Sequence, residues 1–134
     1  EVARVGTPTT WVYCPGPPSA VALLDALRAG HAFVSEGADG PRLTMSAGPA
    51  MMGDAIPRPP DARLLLTVRA VGGAGSTLEV RGAPGCLLQY PVTGPDEVIT
   101  MTLDVSGTAY VRAQLVSGAE GDLLHALTNP IYLR

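Results

Sequence analysis

The sequence predicts a mainly β protein, an antiparallel β-sandwich preceded by a short β-α-β segment. Three observations carry this. Hydrophobic residues make up 46% of the 134 residues and charged residues only 16%, a balance that favours a packed core over disorder. Sixteen Gly and 13 Pro cut the chain into short pieces, as turns between strands do. Within those pieces, apolar and polar residues alternate. Ile99, Met101, Leu103 and Val105 fall on one face of a strand, with Val98, Thr100, Thr102 and Asp104 on the other. Ala109, Val111, Ala113 and Leu115 alternate in the same way with Tyr110, Arg112 and Gln114. A chain of this length buries roughly two-thirds of its unfolded surface, so it needs no disulfide or metal to fold. No repeat with a period of about 20 to 50 residues occurs.

The elements follow in order. Thr9 to Cys14 (TTWVYC) is β-branched and aromatic, and so reads as a strand that Pro15-Gly16-Pro17-Pro18 ends. Ser19 caps a helix running to about Ala29, with Ala20, Leu23, Leu24 and Leu27 on one stripe. Arg28 suits the negative end of the helix, and Gly30 supplies the left-handed residue after it. His31 to Ser35 reads as a second strand. Beyond the turn cluster at residues 37–41 come strands at Arg42–Ala47, Ala62–Val71, Thr77–Arg81, Leu87–Tyr90, Val98–Val105, Ala109–Val116 and Leu123–Leu133, the last broken near Asn129. The organisation is thus a β-α-β segment over residues 1–36 and a sandwich over residues 37–134.

The charge balance narrows the function. The net charge is −3, and all nine basic residues are Arg. That argues against a nucleic-acid backbone binder and against a polybasic membrane patch. The most apolar run, Ala20 to Leu27, is interrupted by Asp25 and is far short of the ~18–20 residues of a membrane span. Glu1 to Arg4 does not read as the start of a signal peptide, although a leader removed earlier would leave secretion open; the cytoplasm is the default expectation. Cys14 and Cys86 would pair only in an oxidising compartment, and two lone cysteines are more often free.

The sandwich has an immunoglobulin-like echo. Ser106-Gly-Thr108-Ala-Tyr110-Val-Arg112 resembles the entry to strand F of such domains, where a Tyr makes a corner hydrogen bond. The antibody-type disulfide is not expected: Trp11 precedes both cysteines, and Arg112 stands where the second would be. A strand Tyr on a half-wet face is the plainer reading of Tyr110.

Candidate sites are few. His31 follows the helix end and could contact a ligand, or simply belong to the cap. His125, among Leu123, Leu124 and Leu127, reads as a satisfied strand residue. Asp39, Asp54, Asp96, Glu97, Glu120 and Asp122 are too sparse for a calcium loop and read as turn carboxylates bonded to their own backbone. Gly72-Gly73-Ala74-Gly75 lacks the Lys-Ser/Thr of a phosphate loop and reads as a hairpin tip. Ser35 and Ser46 lie in no nucleophile elbow.

Four segments together resemble the C-terminal region of bacterial PHP-type (polymerase and histidinol phosphatase) metallohydrolases, in the carbaryl-hydrolase-like branch. They are Gly6-Thr-Pro8-Thr9-Thr10-Trp11-Val12-Tyr13; Ala20 to Ser35; Gly40-Pro41-Arg42-Leu43 with Met52-Gly53-Asp54; and Thr128-Asn129-Pro130-Ile131-Tyr132-Leu133. Residues from about Pro59 to Gly94 contribute little. The resemblance implies a parent with a βα barrel binding divalent metals through H-x-H and D-x-H motifs. Neither motif occurs here, so no catalytic, cofactor or metal residue carries over. It further implies that residues 1–36 are the barrel's closing strand, helix and strand, and that Trp11, Tyr13, Leu23, Leu24, Leu27 and Phe33 pack at the interface between barrel and sandwich. The expected function is a non-catalytic accessory sandwich of a metal-dependent phosphoesterase, partnered by its own barrel. An apolar helix stripe without that barrel implies weak homodimerisation through residues 9–35. The alternative is a free-standing ligand- or surface-binding module, with Trp11 and Tyr13 exposed on a concave face.

Overall fold

The computed structural model describes residues 7–134, so the first six residues of the β-α-β segment, including Gly6, lie outside the described residues. Each alternating segment forms a strand with its apolar face inward. In β6 (Arg63–Val71), Leu64, Leu66, Val68 and Ala70 are buried while Leu65 and Arg69 face solvent. In β9 (Asp96–Asp104) the buried residues are Met101 and Leu103, and Val105 just beyond is fully buried. In β10 (Tyr110–Ser117) they are Val111, Ala113, Leu115 and Val116.

These strands form two sheets. One runs β4 (Ala50–Met51), β3 (Arg42–Ala47), β6, β9. The other centres on β10. One side of β10 pairs with β7 (Thr77–Gly82), which continues to β8 (Gly85–Pro91). The other side pairs with β11 (Leu123–Thr128) and, nearer its start, with β12 (Ile131–Leu133). The short β5 (Ala55–Ile56) lies parallel to β12. Residues of both sheets share one core, with Leu43, Leu66 and Val68 meeting Leu78, Leu115 and Ile131, all fully buried. The molecule is therefore mainly β, with two largely antiparallel sheets face to face.

The opening segment joins this structure through its edge. β1 (Thr9–Val12) pairs with β2 (Ala32–Ser35), and β2 pairs with β11. Between them lies α1 (Ala20–Arg28), capped as expected by Ser19, whose hydroxyl accepts the Ala22 N–H at 3.1 Å. Gly30 takes the left-handed conformation at φ +74°.

Several expectations need correcting. The first strand ends at Val12, not Cys14, although the Tyr13 N–H still reaches the His31 carbonyl at 2.8 Å. The long strand begins at Arg63, because Ala62 is a turn residue with φ +57°. Gly72 to Gly75 is not a hairpin tip: β6 and β7 belong to different sheets, so this loop crosses between layers. The last predicted strand is broken where expected, at Asn129-Pro130, into β11 and β12. The two-residue strands β4 and β5 carry no sequence signal. At the Tyr110 corner it is the Thr108 hydroxyl that ties the turn, donating to the Tyr110 carbonyl at 2.7 Å. Cys14 and Cys86 are both free.

Candidate functional site

The helix stripe faces away from the protein. A short amphipathic helix ordinarily buries its large side chains. Here Leu23, Leu24 and Leu27 are 40%, 50% and 48% exposed, and Val21 is 69% exposed. The buried helix residue is Ala26. The helix therefore seats on its small side and presents its leucines outward. Val34 on β2 and Leu123 and Leu124 on β11 are exposed as well.

The aromatic interface residues divide. Phe33 is in the core, and Trp11 stacks on it with ring centroids 6.1 Å apart. The Arg42 guanidinium lies 4.4 Å from the Trp11 ring centroid, a cation–π contact. Tyr13, by contrast, is 48% exposed beside a cavity of about 350 Å³ lined by Thr44, Met51 and Arg69.

His31 is held within the fold. Its Nε2 lies 2.7 Å from Asp54 Oδ1, and Asp54 Oδ2 accepts the Met51 N–H at 2.9 Å. Burial alone would raise the Asp54 carboxyl's pKa; the bonds from His31 and Met51 outweigh it and hold the group below the usual range. Around this pair, three stretches of chain converge. The Asn129 amide donates to the Gly30 carbonyl at 2.9 Å, and the Gly53 N–H donates to the Pro130 carbonyl at 2.7 Å. Gly30 and Gly53 pass so closely that a Cβ on Gly53 (φ +95°) would collide with the Gly30 carbonyl. This joint ties the end of α1 to the sandwich. Nothing in the spacing of Gly30, Asp54 and Asn129 announces it.

Polar clusters elsewhere have identifiable partners. Glu79, 8% exposed, accepts from Gln89, Gln114 and Arg81, led by Gln89, and these bonds hold its carboxyl low despite burial. Glu97 accepts the Gly94 and Thr93 N–H groups at 2.6 and 2.8 Å and the Tyr90 hydroxyl at 2.9 Å; its pKa is driven from 4.5 to about 2. Asp96 pairs with Arg69 through two hydrogen bonds. Among the described residues, no group of three or more His, Cys, Asp or Glu is placed to hold a metal ion.

Comparison with family models, curated proteins and solved structures returned no match.

His125 gains two partners that the sequence reading did not identify. Its Nε2 lies 2.6 Å from Ser117 Oγ and its Nδ1 2.8 Å from Glu36 Oε2. The only prior signal was a His and a Ser flanking one hairpin turn. Glu36 is distant in sequence and comes close only through the β2–β11 ladder.

Proposed function

We propose that this chain is the accessory β-sandwich of a PHP-type metal-dependent phosphoesterase, lying outside the metal chemistry and docking against the catalytic barrel. The observation that carries the reading is the outward-facing apolar side of α1. Leu23, Leu24 and Leu27 cost solvation where they stand, and exposed apolar patches on soluble proteins generally mark a contact surface. The motif segments add support. Gly30-His31, Met52-Gly53-Asp54 and Asn129-Pro130 are distant in sequence but meet in one joint. A family pattern retained for structural reasons would converge in this way.

The finer fold assignment belongs to the same proposal. Strand order β3-β6-β9 in one sheet and β8-β7-β10-β11 in the other supports an immunoglobulin-like assignment in which β10 is read as strand F. Divalent metals would belong to the barrel. The test is direct: the purified chain should neither bind Mn²⁺ or Zn²⁺ stoichiometrically in calorimetry nor hydrolyse p-nitrophenyl phosphate esters. Metal-dependent phosphoester turnover that survives repurification would overturn it.

One observation favours a second reading, a free-standing ligand- or surface-binding module: Tyr13 stands exposed over its cavity. Saturable glycan binding lost in Tyr13→Ala would promote that reading over the first.

A further inference from the structure

We propose that Ser117, His125 and Glu36 form a metal-independent acyl-transfer site, in which Ser117 is a nucleophile for small uncharged carboxylic esters. The inference does not rest on the accessory-domain reading, and it limits the word non-catalytic in that reading to the metal chemistry.

The tautomer logic sets the roles. A carboxylate can only accept, so Glu36 Oε2, 2.8 Å from His125 Nδ1, requires the hydrogen on Nδ1. Neutral imidazole then has its lone pair on Nε2. Ser117 Oγ lies 2.6 Å from that nitrogen, so the hydroxyl donates to it. A hydroxyl donating to an imidazole that an acid orients is the arrangement by which a weak nucleophile is activated.

The backbone holds all three residues. Ser117 ends β10, paired with Leu123. His125 sits at a β-bulge, where Leu115 pairs with Ala126 and Val116 with Leu124, which leaves His125 without an opposite residue. Such bulges re-aim side chains. Glu36 follows β2, and its N–H donates to the His125 carbonyl at 2.9 Å.

Space and charge define the substrate. Ser117 lines a polar cavity of about 330 Å³ together with residues 118–121 of the turn that follows it. His125 and Glu36 line an apolar cavity of about 230 Å³ with Val34, Leu124 and Leu127, sized for a short acyl or alkyl group. Among the described residues, Glu36, Glu79 and Glu120 border these cavities and no Arg does, which disfavours anionic substrates.

The step balances as follows. Ser117 Oγ attacks the ester carbonyl carbon as its proton moves to His125 Nε2. The tetrahedral adduct collapses, the alkoxide takes that proton and leaves as the alcohol, and the acyl group stays on Oγ. Water then attacks the acyl carbon and gives a proton to Nε2. Oγ leaves, recovers that proton, and the carboxylic acid departs.

The test uses the 134-residue chain and an alkyl fluorophosphonate, read by intact mass and peptide mapping. One adduct per chain at Ser117 is expected. It should be absent in Ser117→Ala, slowed about 10²-fold in His125→Gln, and slowed about 10-fold in Glu36→Gln, where an amide no longer fixes the tautomer. The wild-type chain unfolded in urea should not react, which keeps the test decisive even if a variant misfolds. A p-nitrophenyl acetate assay should show a burst that Ser117→Ala removes and that His125→Gln and Glu36→Gln slow in the same order. No adduct at Ser117 with probe in large excess, or equal labelling of the folded and unfolded chain, would overturn the proposal.

Discussion

The sandwich and the opening β1-α1-β2 segment are built on opposite rules. In the sandwich, large side chains go inward: Leu43, Leu66, Val68, Leu78, Leu115 and Ile131 are fully buried. In the opening segment, the large side chains of α1 face solvent and an alanine faces the protein. The first region meets its own folding requirements. The second is attached by a strand ladder and a polar joint, with its apolar surface left for something else. Substitutions of large apolar side chains in the two regions should therefore behave differently.

The largest effect should come from the core. Leu66→Ala removes a fully buried side chain between the sheets and should destabilise by about 2–5 kcal/mol in chemical denaturation. Next is the joint. Gly53→Ala places a Cβ against the Gly30 carbonyl at a positive φ, and should cost about 1–3 kcal/mol and speed hydrogen exchange in α1 before the core. Asp54→Asn at the same joint weakens the bond to His31 and should cost about 1 kcal/mol, again most visibly in α1 exchange. The smallest change in stability should come from Leu23→Ser with Leu24→Ser, within about 0.5 kcal/mol for each surface position. The same pair should abolish the weak homodimer that light scattering of the wild-type chain is expected to reveal. A double variant as unstable as Leu66→Ala would erase the contrast between the regions.

Acid sharpens the comparison. Glu97 lies in the sandwich, and its folded pKa of about 2 is below the ordinary 4.5. A carboxyl with a lowered folded pKa stabilises fully above its unfolded value and loses that contribution as pH falls through the folded one. Wild-type stability should therefore decline between about pH 4.5 and 2, and Glu97→Gln should flatten part of that decline. An NMR titration placing the Glu97 midpoint near 4.5 would contradict this.

Much of the fold was legible because period-two alternation reports directly on a sheet with one buried face. β3 spans Arg42–Ala47 as alternation predicts, and Met101, Leu103 and Val105, which alternation puts on one face, are buried. What was not legible depended on contacts between distant residues. The pairs β3–β4 and β5–β12 are two-residue ladders set by neighbouring strands, with no local pattern of their own. The same holds for the sites. His31 and His125 were visible as residues, but Asp54, Ser117 and Glu36 become their partners only after the sheets form. The leucine stripe of α1 was plain in sequence, while its outward orientation is a property of how the helix is seated.

If the outward face of α1 docks on a metal-binding barrel of the same polypeptide, as proposed, the coding region immediately before the codon for Glu1 should encode that barrel's motifs. Sequencing that region should show an in-frame D-x-H motif close upstream and H-x-H farther upstream. An in-frame unrelated domain there, or a start codon with no such motifs, would contradict it.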